Sequence, residues 1–403
     1  MSGVSLSQTE SDRRVQTNIL LELVRASVLE RVPTIPNDVS IDWDKLMDLS
    51  QEQGLIAWVW DGVCKLPPEQ QPPRQYRINW GLSAQEIWDR YELQKSVLQE
   101  IVAICKNNQM KLMLLKGLAL SDLFPNPHSR PSGDIDIYLF GDFEKGNKLF
   151  SSGQCPETEL HTSFEYRGFE IENHKIFVYN NSKVKGMVGE YLLDHTNDVV
   201  LSPQGYYTFA PLPNLVYLLM HALNHVNYAS EDTIFSLKHI LDLGMFVRCN
   251  RLKLPPDEVF ETMKRLHLSK SFELIIYLSE WLLGDDLNEY HCNIIKVKDL
   301  YQIRVLFENL GLSIPLPHHT TLLKQSIGIW GRYRELRPVS KYIPKKPKNG
   351  LLRVSLHEQK LSIIRHVFTI PDEGSIKANL KERFFNKKVD TNRELDIGEA
   401  GVM

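Results

Sequence analysis

The chain has 403 residues, a net charge of −3, a hydrophobic fraction of 42% and a charged fraction of 24%. That length suffices for two or three domains with a sizeable core, and the charge balance supplies no global positive field to recruit nucleic acid. Its five cysteines (Cys64, Cys105, Cys155, Cys249, Cys292) are scattered without a C-x-x-C pair. This argues against a disulfide framework or a structural zinc site and fits a reducing cytoplasm.

The opening MSGVSLSQTESDRR is polar and lacks the layout of a signal peptide. Apolar runs at 215–220 and 274–283 are too short or too interrupted to span a bilayer, so a cytoplasmic protein without a membrane span is expected. Helical spacing of Leu, Val and Ile marks 14–31 and continues through 44–60, and the Pro-rich LPPEQQPPR at 66–74 reads as a loop. From 83 to 107, Ile87, Tyr91, Leu93, Val97, Ile101 and Ile104 follow a helical period. The character then changes. A strand-like MKLMLL (110–115) runs into Lys116-Gly117 and a short helix at 118–123, and three prolines (Pro125, Pro127, Pro131) open a loop. Residues 161–179 read as two strands joined at Tyr166-Arg167-Gly168. Helices return after Pro213, and beyond Arg337 the chain turns basic and Pro-rich. Four regions are expected: a helical region over 1–83, an α/β core over 84–205, a helical domain over 206–335 and a basic extension over 336–403.

The most informative stretch is SGDIDIYL at 132–139. Side chains alternate along a strand, so Asp134 and Asp136 share one face, roughly 6.5–7 Å apart, while Ile135 and Ile137 fill the other. Two carboxylates so placed repel one another unless a cation lies between them. A D-x-D pair alone is more often a turn or a solvated edge; here the alternating isoleucines define a strand with a buried face. Lys116-Gly117 sits at a strand-to-helix junction, where backbone N–H groups attract phosphate and glycine permits close approach. Arg130, Ser132 and Gly133 add further groups able to meet anionic oxygens.

The stretch LLKGLALSDLFPNPHSRPSGDIDIYL resembles the "LKG … R … GDIDL" core of the uncharacterised bacterial nucleotidyltransferases, a fifth nucleotidyltransferase family within the DNA polymerase beta-like superfamily. GFEIENHKIF (168–177), PNLVYLLMHALNHV (213–226) and FSLKHILDLGMFV (235–247) are similar to that family's later blocks. The resemblance implies an α/β (α+β) fold, a polymerase-beta-like core with a small mixed sheet flanked by helical regions. It also implies two Mg²⁺ ions (Mn²⁺ as substitute), a nucleoside triphosphate such as ATP, and transfer of its nucleoside monophosphate to a hydroxyl of an unidentified acceptor. Asp134 and Asp136 would be metal ligands, with a third carboxylate on a later strand: Glu172, with Glu170 as fallback. Lys116, Gly117, Arg130, Ser132 and Gly133 would bind the nucleotide. One departure stands out. The first turn carries Gly117-Leu118 where the superfamily places Gly-Ser or Gly-Gly, so a phosphate-binding hydroxyl is missing from it.

Other positions carry weaker signals. His174 shares a strand face with Glu172 and either orients it, touches substrate or is an ordinary histidine. His221 and His225 lie four apart on one helical face, without the Glu of H-E-x-x-H that zinc binding would favour, and the resemblance implies a substrate-facing or interdomain role for them. Lys238 and Asp242, also four apart, form either an intrahelical ion pair or a part of the cleft. The basic run Lys341, Lys345, Lys346, Lys348 lacks interleaved aromatics beyond Tyr342 and reads as a solvated linker rather than a nucleic-acid surface. A catalytically silent nucleotide-binding or interaction module on the same fold is the alternative to an enzyme, kept open by Leu118.

Overall fold

The computed structural model describes residues 3–150, 156–227 and 236–291. Cys155, Cys292, the side chain of His225, the later part of the expected helical domain and the basic extension with its lysines lie outside the described residues.

Three helices open the chain: α1 (Gly3–Val28), α2 (Trp43–Glu52) and α3 (Ile56–Cys64). Asp42 caps α2 by accepting from Lys45 N at 3.1 Å, supplying an acceptor to one of the N–H groups that a helix start leaves unpaired. Next comes α4 (Arg74–Asn107), which begins directly after Pro73 and runs unbroken through residue 83. Its buried side, including Tyr91, Val97, Leu98 and Ile101, follows the helical period read from sequence.

The α/β core follows, with β1 (Met113–Leu114), β2 (Ile135–Tyr138), α5 (Phe143–Phe150), β3 (His161–Tyr166), β4 (Phe169–His174), α6 (Lys183–Asp194), β5 (Val199–Leu201) and β6 (Tyr207–Phe209). These strands form a six-stranded mixed sheet in the order β3-β4-β2-β1-β6-β5. Strand β2 runs parallel to β4 and antiparallel to β1, which in turn runs parallel to β6. The β3–β4 hairpin turns on Arg167-Gly168, both at positive φ (54° and 81°). Such a two-residue turn matches the right-handed twist of paired strands, and Gly168 adopts its conformation without steric cost. The segment expected as a short helix at 118–123 is a 3-10 helix, Gly117–Leu123.

Helices α7 (Pro211–Asn227), α8 (Leu237–Asn250), α9 (Pro256–Arg265) and α10 (Ser269–Leu283) follow the sheet. None of the described helices is long and apolar enough to cross a membrane.

Two apolar clusters sandwich the sheet. Ile135, Ile137, Ile171 and Phe164 pack with Leu98, Ile101 and Cys105 of α4 on one face. On the other side Met113 and Leu115 join a larger cluster that includes Leu215, Leu219, Ile240, Leu241 and the α1 and α3 side chains Leu23 and Trp58. Strand alternation therefore sends the isoleucines of D-I-D-I toward α4 and leaves the aspartates on the opposite side. There a cavity of about 920 Å³ opens between the sheet and α7–α8.

Candidate active site

Of the candidate site residues, Lys116, Gly117, Arg130, Ser132, Gly133, Asp134, Asp136, Glu172, His174, His221, Lys238 and Asp242 all line this cavity. Glu170, the fallback carboxylate, is exposed and is not among the lining residues.

The carboxylates are positioned by strand register. Asp136 stands opposite Glu172 in the parallel β2–β4 pair, and Tyr138 stands opposite His174. Asp134 immediately precedes β2 and is held through its backbone: Gln94 Nε2 donates to the carbonyl oxygens of Gly133 and Asp134 at 3.2 and 3.2 Å. Arg90 of α4 adds bonds to the carbonyls of Ser132 (3.2 Å) and Gly133 (2.9 Å). Fixing the backbone in this way aims the Asp134 side chain without using its oxygens.

Lys116 Nζ lies 2.9 Å from Asp134 Oδ2 and 2.6 Å from Asp136 Oδ2. Burial disfavours its charge, but Asp136 and Asp134 outweigh that, so its pKa is raised and the ammonium is firmly charged. His174 Nε2 is 3.1 Å from Asp136 Oδ1 and 3.5 Å from Glu172 Oε2. Burial pulls its pKa down, yet the hydrogen bonds to Asp136 and Glu172 prevail and raise it to about 9. The same contacts act on Glu172: burial pushes up, while the hydrogen bond from His174 and the charge of Lys116 bring the carboxyl down to about 2.

Asp136, Glu172 and His174 each place one ligand atom within 4.8 Å of the others, a grouping able to hold a divalent cation. Asp136 is fully buried, and its Oδ2 has no hydrogen-bond partner in suitable geometry. A buried carboxylate oxygen left this way calls for a cation, so the Asp136 and Glu172 carboxylates of this set could hold a metal ion. Lys116 Nζ places a positive charge 2.6 Å from Asp136 Oδ2.

Gly117 adopts φ +62°, and a Cβ there would come within 2.8 Å of Ser132 Oγ. The buried Ser132 hydroxyl, itself without a partner among the described residues, therefore lies over the Gly117 turn. A hydroxyl therefore stands at this turn even though position 118 is leucine. Arg130 is 4% exposed and gives Nε and Nη2 to Asp242 Oδ1 and Oδ2, both at 2.8 Å. Asp242 thus pairs across elements with Arg130, and the intrahelical Lys238–Asp242 pair weighed from the sequence is not formed.

Sequence reasoning missed His161, Tyr217 and Asp61. His161 Nε2 lies 3.6 Å from Glu172 Oε1, and His161 stands opposite His174 in the β3–β4 register. The signal was present: counting back from the Arg167-Gly168 turn pairs 161 with 174. Tyr217 of α7 lines the cavity, its phenol pushed well above the usual range by burial and by Asp136. Asp61 of α3 accepts from Ser129 Oγ (2.5 Å) and Asn126 Nδ2 (3.0 Å), anchoring the loop that ends at Arg130. Nothing in the sequence near Asp61 announces a partner 68 residues away.

Paired aspartates at the head of β2, facing helices and with a third carboxylate on the parallel neighbour, match the arrangement that the resemblance to nucleotidyltransferases, enzymes transferring phosphorus-containing groups, implies. Residues 39–284 match the model of a family described as "uncharacterised nucleotidyltransferase", and the chain belongs to that family. No curated protein and no solved structure matches the chain.

Proposed function

We propose that the cleft transfers a nucleoside monophosphate from a nucleoside triphosphate such as ATP to a hydroxyl of an acceptor, releasing pyrophosphate. The observation that carries this reading is the register pairing of Asp136 with Glu172, with Asp134 two residues before Asp136. Asp134, Asp136 and Glu172 would hold two Mg²⁺ ions, for which Mn²⁺ can substitute. Bound there, divalent ions would supply stabilisation of both the attacking and the leaving oxygen of an in-line displacement.

The remaining roles belong to the chain itself. The acceptor oxygen forms a bond to the α-phosphorus, the bond from that phosphorus to the α–β bridging oxygen breaks, and its electron pair leaves with pyrophosphate. The hydroxyl proton departs to water. Gly117, Gly133 and Ser132 form a cradle in which backbone and hydroxyl can approach phosphate oxygens, with Lys116 as the adjacent charge. His174 bridges Asp136 and Glu172 and orients both. His221 lines the α7 side of the cavity, where the acceptor is chosen. Purified protein with Mg²⁺ and nucleoside triphosphate should release pyrophosphate once acceptor is present. Asp134→Asn/Asp136→Asn should reduce release by at least about 10³-fold, equivalent to about 4 kcal/mol of transition-state stabilisation. Unchanged release in the folded double variant would sink the assignment.

A further inference from the structure

We propose that the α8 wall carries a phosphate subsite, built from Lys238 and the unused Nη1 of Arg130, that holds the terminal phosphates of the nucleoside triphosphate and receives the departing pyrophosphate. For its ligand the subsite rests on the nucleotidyl-transfer reading.

Charge is unbalanced on this wall. Asp242 neutralises one cation by its bidentate bond to Arg130, and Arg130 Nη1 is left buried with no partner among the described residues. Lys238, one turn before Asp242, makes no ion pair among the described residues. Burial and the neighbouring Arg130 charge pull its pKa down to about 8. An ammonium that feels a guanidinium whose one carboxylate is already engaged is stabilised by an arriving anion. The lysine is also well seated. Its stem lies on the backbone of Gly54, where an added Cβ would sit 3.5 Å from both Lys238 Cβ and Cδ. The start of α8 is fastened beside it, since Leu237 N donates to Gln53 Oε1 at 3.1 Å. Less of the side-chain entropy is then lost when an anion docks.

Lys238 feels the charges of Arg130, Asp242, Lys116 and Asp134, and Ser132 beside Gly117 adds an unpaired hydroxyl. His161 stands 3.6 Å from Glu172, and Tyr179 and Asn181 also line the cavity, groups suited to a neutral hydroxyl-bearing acceptor. Cations from two separate elements suit a polyanion with several oxygens better than a single carboxylate. When the α-phosphorus–oxygen bond breaks, the electron pair stays on the pyrophosphate oxygen, and Lys238 and Arg130 Nη1 meet the charge that develops there.

The test uses the full chain in chelator, with inorganic tripolyphosphate as the probe and calorimetry as the readout. Wild type should bind tripolyphosphate. Lys238→Met, which keeps the stem on Gly54, should weaken binding about tenfold or more, Lys238→Arg should restore it, and AMP affinity should stay unchanged. ATP and tripolyphosphate should exclude one another. Failure of wild type to bind, equal binding by Lys238→Met, or simultaneous binding of ATP and tripolyphosphate (the mark of a site for an acceptor-borne phosphate) would overturn the proposal. Because neither metal nor turnover enters, loss of the transfer reading would show separately, as tripolyphosphate binding intact in a protein that releases no pyrophosphate.

Discussion

Lys116 Nζ is within 3 Å of both Asp134 and Asp136, the place a metal ion would compete for. Two carboxylates facing one buried position repel each other, and the ammonium offsets that repulsion when no metal is bound. Lys116→Met should therefore do two opposite things. In chelator its melting temperature should fall, because the carboxylates lose their counter-charge. On titration with Mn²⁺ the variant should bind the ion more tightly than wild type, by about tenfold, since no internal cation has to be displaced. Paramagnetic resonance of free Mn²⁺ reads the affinity directly, and weaker binding by the variant would place Lys116 among the groups that recruit the metal. At this scale the sequence was informative. D-I-D-I announced one polar and one apolar strand face, and Asp136 and Ile137 lie as that alternation requires. The bidentate grip of Asp242 on Arg130 was not legible, because it joins residues 112 positions apart and the one-turn spacing to Lys238 suggested a nearer partner for Asp242.

At the scale of elements, the site depends on segments that never enter the cleft. Helix α4 holds the backbone of 132–134 through Arg90 and Gln94, and α3 holds the preceding loop through Asp61. Removing Asp61 takes the acceptor from the hydroxyl of Ser129 and leaves the Asn126 amide with Ser129 Oγ alone, so Asp61→Ala should cost about 1–3 kcal/mol in denaturant unfolding. Asp61→Asn keeps one acceptor oxygen and should cost less. Nucleotide affinity should fall with the first substitution, since the loop it releases ends at Arg130; an unchanged affinity would detach the loop from the site. The strand pair β3–β4, α4, α7 and α8 were all readable from periodicity and turn residues. The order of the sheet was not. A parallel β2–β4 contact between residues 36 positions apart depends on a crossover, and local patterning carries no information about which neighbour a strand chooses.

At the scale of the molecule, the sheet side contributes Asp134, Asp136, Glu172 and Lys116 while α7–α8 contribute Tyr217, His221, Lys238 and Asp242, so the cleft exists only when both sides are assembled. The far side of the helical layer is tied by pairs outside the cleft. Arg25 of α1 donates to the carbonyl oxygens of Leu282 (3.1 Å) and Trp281 (2.5 Å) at the end of α10. His291 lies 2.8 Å from Glu280, and that hydrogen bond raises its pKa above the ordinary 6.5. A histidine whose folded pKa is raised adds stability that is fully present below about 6.5 and is lost as pH rises through the folded value. Thermal melts between pH 6 and 8 should therefore show a decline that His291→Gln flattens; parallel slopes in the two proteins would remove His291 as its source. The central claim concerns which phosphate moves. Nucleoside triphosphate labelled separately at the α- and γ-positions, incubated with the protein, Mg²⁺ and a cell extract, decides it. Label from the α-position should appear on an acceptor and label from the γ-position in pyrophosphate, both lost in Asp134→Asn/Asp136→Asn. Label from the γ-position on an acceptor, or α-label transferred equally well by the double variant, would contradict nucleotidyl transfer at this aspartate pair.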